Sequence, residues 1–305
     1  MRPQDKHIWF SSSKVAGSTV MALLEQQGKI DIKKPVSDYI AELKGSEWDT
    51  VMVEEALDMA NGLDSTEHDE PVQDTRTNPD QVYYQWGVTL GFFVNPDQKE
   101  RDPFMVMRGM KRKYPGHTAF EYNSINTWVM NRINERVGGK PVNELFSEMV
   151  WSKIGAEHDM ELAISPQGYL LLFGFTTSTL RDMARFGMIF TPSWNKVAKE
   201  KVVSDKQMKC IQTLGNPKAY QGSGEEAYGK RWFGETPYMN TAQWDHAFED
   251  GAMFKHGNMG QGIYVDPARD FCGIYFGLAT NDEAISGADH SPGYLRTAAK
   301  LLAGK

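Results

Sequence analysis

The segment Ser11-Ser12-Ser13-Lys14, followed by a run of apolar residues, is the part of the sequence from which the fold can be worked out. Apolar side chains recur after it at helical spacing, and Gly28 offers a natural stop, so the pattern predicts a helix over residues 12–27. Ser11 then lies at or near the first turn of this helix. Because residues three apart share a helix face, Lys14 can reach the Ser11 hydroxyl.

Helical periodicity dominates the part of the chain that follows. The period recurs at residues 50–60, 124–137, 142–154 and 178–190. We therefore expect the segment 31–199 to be a mostly helical domain.

After about residue 219 the pattern changes to short aromatic-rich runs bounded by Gly, Pro and Asp, which predict strands at 228–233, 252–254, 262–265 and 271–278. Residues 266–270 have hairpin length, and a helix over 294–302 would cover one sheet face. The expected fold class is α/β (α+β), with an antiparallel sheet and flanking helices from residues 1–30 and 200–305 and the helical domain inserted between them.

Composition excludes several kinds of partner. The 305 residues include 40 acids and 33 bases, so a net charge of -7 gives no electrostatic reason to expect nucleic acid or an anionic membrane. No apolar run approaches the ~18 residues that span a bilayer. The first seven residues lack the apolar core of a signal peptide, so we expect a cytoplasmic protein as written, although an upstream signal would be invisible.

Other chemistries have weak support in the sequence. The acidic and histidine-containing runs 67–70 and 157–159 lack the spacing that places two ligands on one helix face, so we interpret both as solvated loops and expect no metal. Residues 222–227 resemble a dinucleotide loop, but they carry two acids where a pyrophosphate needs donors. No Gly-x-Ser-x-Gly nucleophile elbow is present.

A serine beside a lysine is a nucleophile with a resident base. The lysine can act as a base only if burial or a second cation lowers its pKa, so such a site needs a closed pocket. By itself the pattern is explained at least as well by Ser11 capping a helix and Lys14 lying in solvent.

Two later segments change this balance. In Tyr122-Asn123-Ser124 the Tyr lies just ahead of a predicted helix, and in Lys255-His256-Gly257-Asn258 the Lys and His lie on a predicted strand that ends in glycines. With Ser11-x-x-Lys14 these segments resemble, in order, the Ser-x-x-Lys, Tyr-x-Asn and Lys-Thr-Gly motifs of the serine β-lactamase-like superfamily. The resemblance is to the branch that includes class C β-lactamases, D-alanyl-D-alanine peptidases, carboxylesterases and 6-aminohexanoate-oligomer hydrolases, and it implies a β-lactamase/transpeptidase-like fold.

The resemblance also implies roles for individual residues. Ser11 would be the nucleophile that accepts the acyl group, and Lys14 and Tyr122 would move protons to and from it. Lys255 would be a second cation that lowers both of their pKa values. The backbone N–H groups of Ser11 and Asn258 would form the oxyanion hole.

Three positions are expected to bind substrate. Two of them depart from the family pattern and the third matches it. Ser124 stands where penicillin-recognising members carry Asn, and His256 replaces the Thr of Lys-Thr-Gly. Both changes reduce the groups suited to an amide side chain and a carboxylate. Gly257, without a Cβ, would let substrate approach the strand.

The sequence therefore predicts a cofactor-free serine hydrolase acting on a small ester, with an amide oligomer next and a β-lactam or D-alanyl peptide third. A non-catalytic scaffold that keeps the fold is the alternative from another class. Only ten residues precede Ser11, where relatives carry several dozen that form the first strands. Either the chain is a truncated open reading frame, or the sheet is completed by a shorter edge or by a second subunit, which makes a homo-oligomer an open expectation.

Overall fold

The computed structural model describes residues 2–67, 75–279 and 290–303. Near the start of the chain lies a small antiparallel sheet in the order β1-β3-β2. Its strands are β1 (His7–Ile8), β2 (Glu161–Leu162) and β3 (Thr176–Ser178). The two strands β2 and β3 come from the segment expected to be helical, and they pair with the N-terminal residues.

A five-stranded antiparallel sheet, in the simple order β4-β5-β6-β7-β8, forms the second sheet. Its strands are β4 (Met239–Thr241), β5 (Trp244–Ala247), β6 (Met253–Gly257), β7 (Gln261–Asp266) and β8 (Phe271–Phe276). The expected hairpin at 266–270 is confirmed, because β7 and β8 pair through Val265 and Cys272 across that turn.

Helices surround both sheets. In chain order the α-helices of the described residues are α1 (Lys14–Gln26), α2 (Val36–Tyr39), α3 (Val53–Leu57), α4 (Val82–Leu90), α5 (Pro103–Arg108), α6 (Ser124–Gly138), α7 (Val142–Met149), α8 (Leu180–Met188), α9 (Asp205–Thr213), α10 (Pro217–Tyr220), α11 (Gly224–Phe233) and α12 (Ser291–Leu302). The expected fold class, an antiparallel sheet with flanking helices and a helix-rich middle, is confirmed. The division into two domains stays a prediction.

The expected strand at 228–233 is wrong, because these residues belong to α11. The Ser223 hydroxyl caps this helix by accepting a hydrogen bond from the N–H of Glu226, and Gly234 ends it with a φ of 67°. Tyr228 and Trp232 lie four residues apart and stack on one face. An aromatic-rich run of this length fits a strand or a helix equally well. The capping residues Ser223 and Gly234 favour the helix.

Helices α1 and α6 pack at close range, and this contact places the two halves of the site. A Cβ added at Gly17 in α1 would lie 2.4 Å from Oδ1 of Asn131 in α6. The Asn134 amide donates to the Gly17 carbonyl at 3.0 Å. The helix that follows Ser11 is therefore fixed against the helix that follows Tyr122. Within the described ranges no helix has the length and apolar character needed to cross a membrane.

Candidate active site

Ser11 lies on a tight 3-10 turn, Phe10–Ser13, that leads directly into α1. Phe10 holds a φ of 45°, a left-handed conformation that costs a bulky residue about 1–3 kcal/mol. Ser12 and Ser13 are buried, and their hydroxyls donate to the carbonyls of Lys255 and Phe10. Of the three serines, Ser11 lines the pocket that also holds Tyr122 and Asn258, which makes it the candidate nucleophile.

Lys14 is fully buried and points back at Ser11. Its Nζ donates to Ser11 Oγ at 3.0 Å and to the Phe173 carbonyl at 2.6 Å. Burial lowers the pKa of Lys14 to about 7, with Glu67 opposing and Lys255 adding to the shift. The alternative of a solvated first-turn lysine is therefore wrong, and Lys14 can exist as a neutral amine near neutral pH.

Tyr122 lies immediately before the Asn123 cap of α6, with its hydroxyl 3.3 Å from Lys255 Nζ. Lys14 Nζ lies 5.3 Å from the centre of its ring. The expectation that two cations lower its pKa is wrong: burial, together with the negative charge of Asp245, raises the pKa of Tyr122 well above its usual value. Tyr122 is therefore a protonated phenol, suited to donate a proton.

Lys255 on β6 is not a free second cation. Its ammonium forms a buried ion pair with Asp245 on β5 and also points at Tyr122. The other carboxylate oxygen of Asp245 accepts the backbone N–H of His256 at 2.9 Å. Sequence reasoning missed Asp245 because β5 was not predicted.

Gly257 allows two protein segments to meet. A Cβ at this position would lie 2.2 Å from the Trp9 carbonyl and 3.0 Å from Ser12 Oγ, so the missing side chain lets β6 approach the nucleophile turn. The next residue, Asn258, lines the pocket beside Ser11. The Gln261 amide holds this turn by donating to the Asn258 carbonyl at 3.3 Å. The oxyanion hole from the N–H groups of Ser11 and Asn258 stays a prediction.

Ser124 reaches the pocket through another residue. It is buried, and its N–H and hydroxyl both donate to Oε2 of Glu67, at 3.1 Å and 2.5 Å. Glu67 lines the pocket, so its interpretation as part of a solvated loop is wrong. The rest of that run, 68–70, lies outside the described residues. Where penicillin-recognising relatives carry an amide, this chain presents a carboxylate held by a serine.

One wall of the pocket comes from α11. Glu225, Tyr228 and Trp232 line it from this helix, and the Trp232 ring contacts the His256 ring at an angle of 34°, with ring centres 4.6 Å apart. Burial and the charge of Asp245 raise the pKa of Glu225 well above its usual range. The segment 222–227, excluded as a dinucleotide loop, thus contributes an acid to the site. The two acids at its centre were the available signal.

The expectation that the chain binds no metal concerns the acidic runs 67–70 and 157–159, of which the structure describes Glu67 and the whole second run. Among the described residues, no group of three or more His, Cys, Asp or Glu side chains could hold a metal ion. Glu157, in the second acidic run, pairs with Arg181 and Arg185 at the surface. This run is therefore a loop anchored by ion pairs.

Comparison with known proteins shows the family of this chain. The family model described as Beta-lactamase matches residues 1–299. The chain belongs to the beta-lactamase family. This is a family of serine hydrolases, and the resemblance inferred from the three motifs is confirmed.

A relative with a named activity is similar over most of the chain. A 6-aminohexanoate-dimer hydrolase of Paenarthrobacter ureafaciens is 28% identical over 275 residues, which are 88% of this chain and 65% of that protein. The chain thus spans slightly under two thirds of this curated relative's length.

Two solved structures show the shared fold. A Bacillus anthracis protein with the provisional name 6-aminohexanoate-dimer hydrolase has a TM-score of 0.74 at 22% identity, over 98% of this chain and 74% of that one. EstCE1, a hydrolase with promiscuous acyltransferase activity, has a TM-score of 0.71 at 14% identity, over 98% of this chain and 86% of that one.

Proposed function

We propose that this beta-lactamase-family protein hydrolyses small esters through an acyl-enzyme on Ser11. The observation that carries the proposal is the 3.0 Å contact between Ser11 Oγ and a buried Lys14 whose pKa lies at about 7. A neutral amine at this distance is a general base positioned for the serine proton.

In the first half-reaction the Ser11 oxygen attacks the ester carbonyl while Lys14 Nζ takes the hydroxyl proton. The bond to the leaving oxygen then breaks, and the Tyr122 phenol gives that oxygen its proton. The Lys14 ammonium returns a proton to the phenolate, so both groups regain their starting states. Water repeats the sequence on the acyl-enzyme, and the Ser11 oxygen leaves with a proton.

The ranking of esters above β-lactams is supported by an acid in the pocket. Glu67, held by Ser124, places a carboxylate in the pocket that Ser11 lines, where the carboxylate of a β-lactam would also have to bind. Two like charges in a buried pocket repel each other strongly. His256 packs against Trp232 and offers no hydroxyl to such a carboxylate.

Labelling with a fluorophosphonate probe, followed by peptide mapping, tests the nucleophile without assuming a substrate. We expect modification at Ser11 and none at Ser12 or Ser13. Ser11→Ala should abolish hydrolysis of a short-chain nitrophenyl ester and leave the thermal unfolding midpoint nearly unchanged. A chromogenic cephalosporin should give a lower kcat/KM than the ester. An unlabelled wild-type protein would favour the scaffold alternative.

A second candidate, hydrolysis of amides or esters that carry an amino group, is favoured by Glu225. The exposed fraction of this residue is 8%. Its carboxylate oxygen Oε1 lies 3.5 Å from Nε2 of His246. A substrate ammonium would give this carboxyl the partner that burial demands and would stabilise its charged form. The relative named 6-aminohexanoate-dimer hydrolase supports the same candidate.

Two nitrophenyl esters that differ only in a terminal ammonium test the second candidate. We expect kcat/KM to favour the ammonium ester by about tenfold or more, as for a charge-assisted hydrogen bond. Glu225→Gln should remove this preference. Glu226→Gln is the matched control, because the Glu226 carboxylate instead accepts the Gly222 N–H at 2.7 Å. Equal preference in both variants would rule out Glu225 as the recognition group.

A further inference from the structure

Strands β5 and β6 are joined at the edge of the pocket by a hydrogen bond between a side chain of β5 and a backbone N–H of β6. Their recorded ladder pairs Ala247 with Met253 and His246 with Phe254. The next step along this antiparallel register places Asp245 beside Lys255. There the carboxylate of Asp245 accepts the N–H of His256.

Both carboxylate oxygens of Asp245 are committed. Oδ1 pairs with the Lys255 ammonium, and Oδ2 accepts the His256 N–H at 2.9 Å. The side chains of Asp245 and Lys255 are 3% and 0% exposed, so water contributes little to holding either charge. A carboxylate fixed at two points gives the ammonium a defined direction, which a single contact would not.

That direction leads to the phenol. Lys255 Nζ lies 3.3 Å from the Tyr122 hydroxyl and 4.7 Å from the centre of its ring. The Tyr122 hydroxyl in turn contacts Ser11, and Lys14 Nζ reaches Ser11 Oγ at 3.0 Å. A continuous chain of polar contacts thus runs from Asp245 to the nucleophile.

We propose that Asp245 is the positioning residue of this site, which aims the Lys255 ammonium at the Tyr122 hydroxyl. The inference rests on the proposed hydrolase function and deepens it. Asp245 touches no reacting atom itself. Its role is to keep one cation in a fixed place and to cancel most of that cation's charge.

The charges around Asp245 determine how its replacement should change the pKa of Lys14. Asp245 raises the pKa of both Lys14 and Tyr122, whereas Lys255 lowers the pKa of Lys14. Glu67 and Glu225 are the other acids around the pocket, and both also raise the pKa of Tyr122. Asp245→Asn keeps an acceptor for the His256 N–H and leaves Lys255 without its counter-charge, so the pKa of Lys14 should fall further.

The experiment follows the rate of fluorophosphonate labelling at Ser11 from about pH 5 to 9 in four proteins, namely wild type, Asp245→Asn, Lys255→Met and the double variant. We expect Asp245→Asn to lower the rate roughly 10²-fold, as a misplaced catalytic group does. The labelling rate rises with pH. The midpoint of this rise should lie at lower pH in Asp245→Asn than in wild type, and at higher pH in Lys255→Met. The double variant should be no slower than Lys255→Met.

Asp266→Asn is the matched control, because Asp266 is a fully buried acid on β7 that pairs with Arg269 at 2.9 Å, away from the pocket. It should keep the wild-type midpoint. If Asp245→Asn alone fails to fold, the double variant removes both charges together. A double variant that is slower than Lys255→Met would then still contradict the positioning role of Asp245.

Three results would overturn the inference. They are a wild-type rate in Asp245→Asn, a slower rate with an unmoved midpoint, and losses that multiply in the double variant. An absence of labelling in the wild-type protein would overturn the proposed function and this inference together. Labelled wild type with an unaffected Asp245 variant would overturn the inference alone.

Discussion

At the scale of single residues, Lys14 carries opposite consequences for stability and for activity. Burial holds its pKa at about 7 in the folded chain, against the ordinary value of 10.5 in the unfolded one. Between these values the unfolded chain binds more protons, so folding stability rises with pH from about 7 to 10.5 and is lowest below 7. The base that the proposed reaction needs is therefore destabilising for the fold at neutral pH.

Lys14→Met should separate the two effects. The variant keeps a similar side-chain volume and loses the amine, so the free energy of unfolding at pH 6 should rise while ester kcat falls by about 10² or more. In the wild-type protein kcat/KM should rise with pH around a midpoint of about 7. Urea unfolding and a pH–rate profile measure both, with the exposed Lys29→Met as control. A variant that loses activity and also stability at pH 6 would contradict this account.

Tyr122 shows how far a motif can be interpreted. Motif order identified this residue, but its protonation state depends on Asp245 and Glu67, whose charges arrive from elsewhere in the chain. A sequence pattern names the functional side chain. The sign of its pKa shift needs the folded surroundings.

At the scale of elements, the turn between β4 and β5 is held by contacts from outside it. Ala242 and Gln243 have φ values of 44° and 72°, a combination that usually calls for Asn-Gly. The Gln243 amide donates to the Leu57 carbonyl at 2.9 Å, and Asp58 Oδ1 accepts the Ala242 N–H at 3.1 Å. Helix α3 therefore imposes the turn that leads into the strand bearing Asp245.

Asp58 makes this support sensitive to pH. Burial raises its pKa to about 7, and Oδ2 has no partner in the described part of the protein. The folded chain then binds the proton more tightly, so this contribution to stability is present at low pH and is lost as pH rises through about 7. Asp58→Asn should raise the free energy of unfolding at pH 8 by roughly 1–4 kcal/mol and change it little at pH 5.

Urea unfolding at both pH values measures this effect. Asp182→Asn is the control, because both oxygens of Asp182 accept hydrogen bonds, from the Glu157 N–H and the Thr179 hydroxyl. It should lose stability at both pH values. A difference between wild type and Asp58→Asn that is the same at pH 5 and pH 8 would contradict this account, because it would show that the protonation state of the carboxyl does not change between the two conditions.

At the scale of the whole molecule, local pattern and motif order predicted the architecture and the central residues. The nucleophile helix and the hairpin at 266–270 follow from periodicity and turn chemistry. The acids Glu67, Glu225 and Asp245 did not follow, because each enters the pocket through a register or a helix face that only the tertiary fold determines. Sequence reasoning thus found the proposed reacting groups and missed the acids around them.

The site joins parts of the chain that are remote from one another. Lys14 and the Phe173 carbonyl are 159 positions apart, Tyr122 and Lys255 are 133 apart, and the Ser12 hydroxyl reaches across 243 positions to the Lys255 carbonyl. Contacts between distant residues form late, because the chain must first lose the entropy of closing those loops. Helix content can return in a refolding chain while these closures are still incomplete. The proposed hydrolysis would therefore measure completed folding, and a chain in which only the helices have formed should be inert.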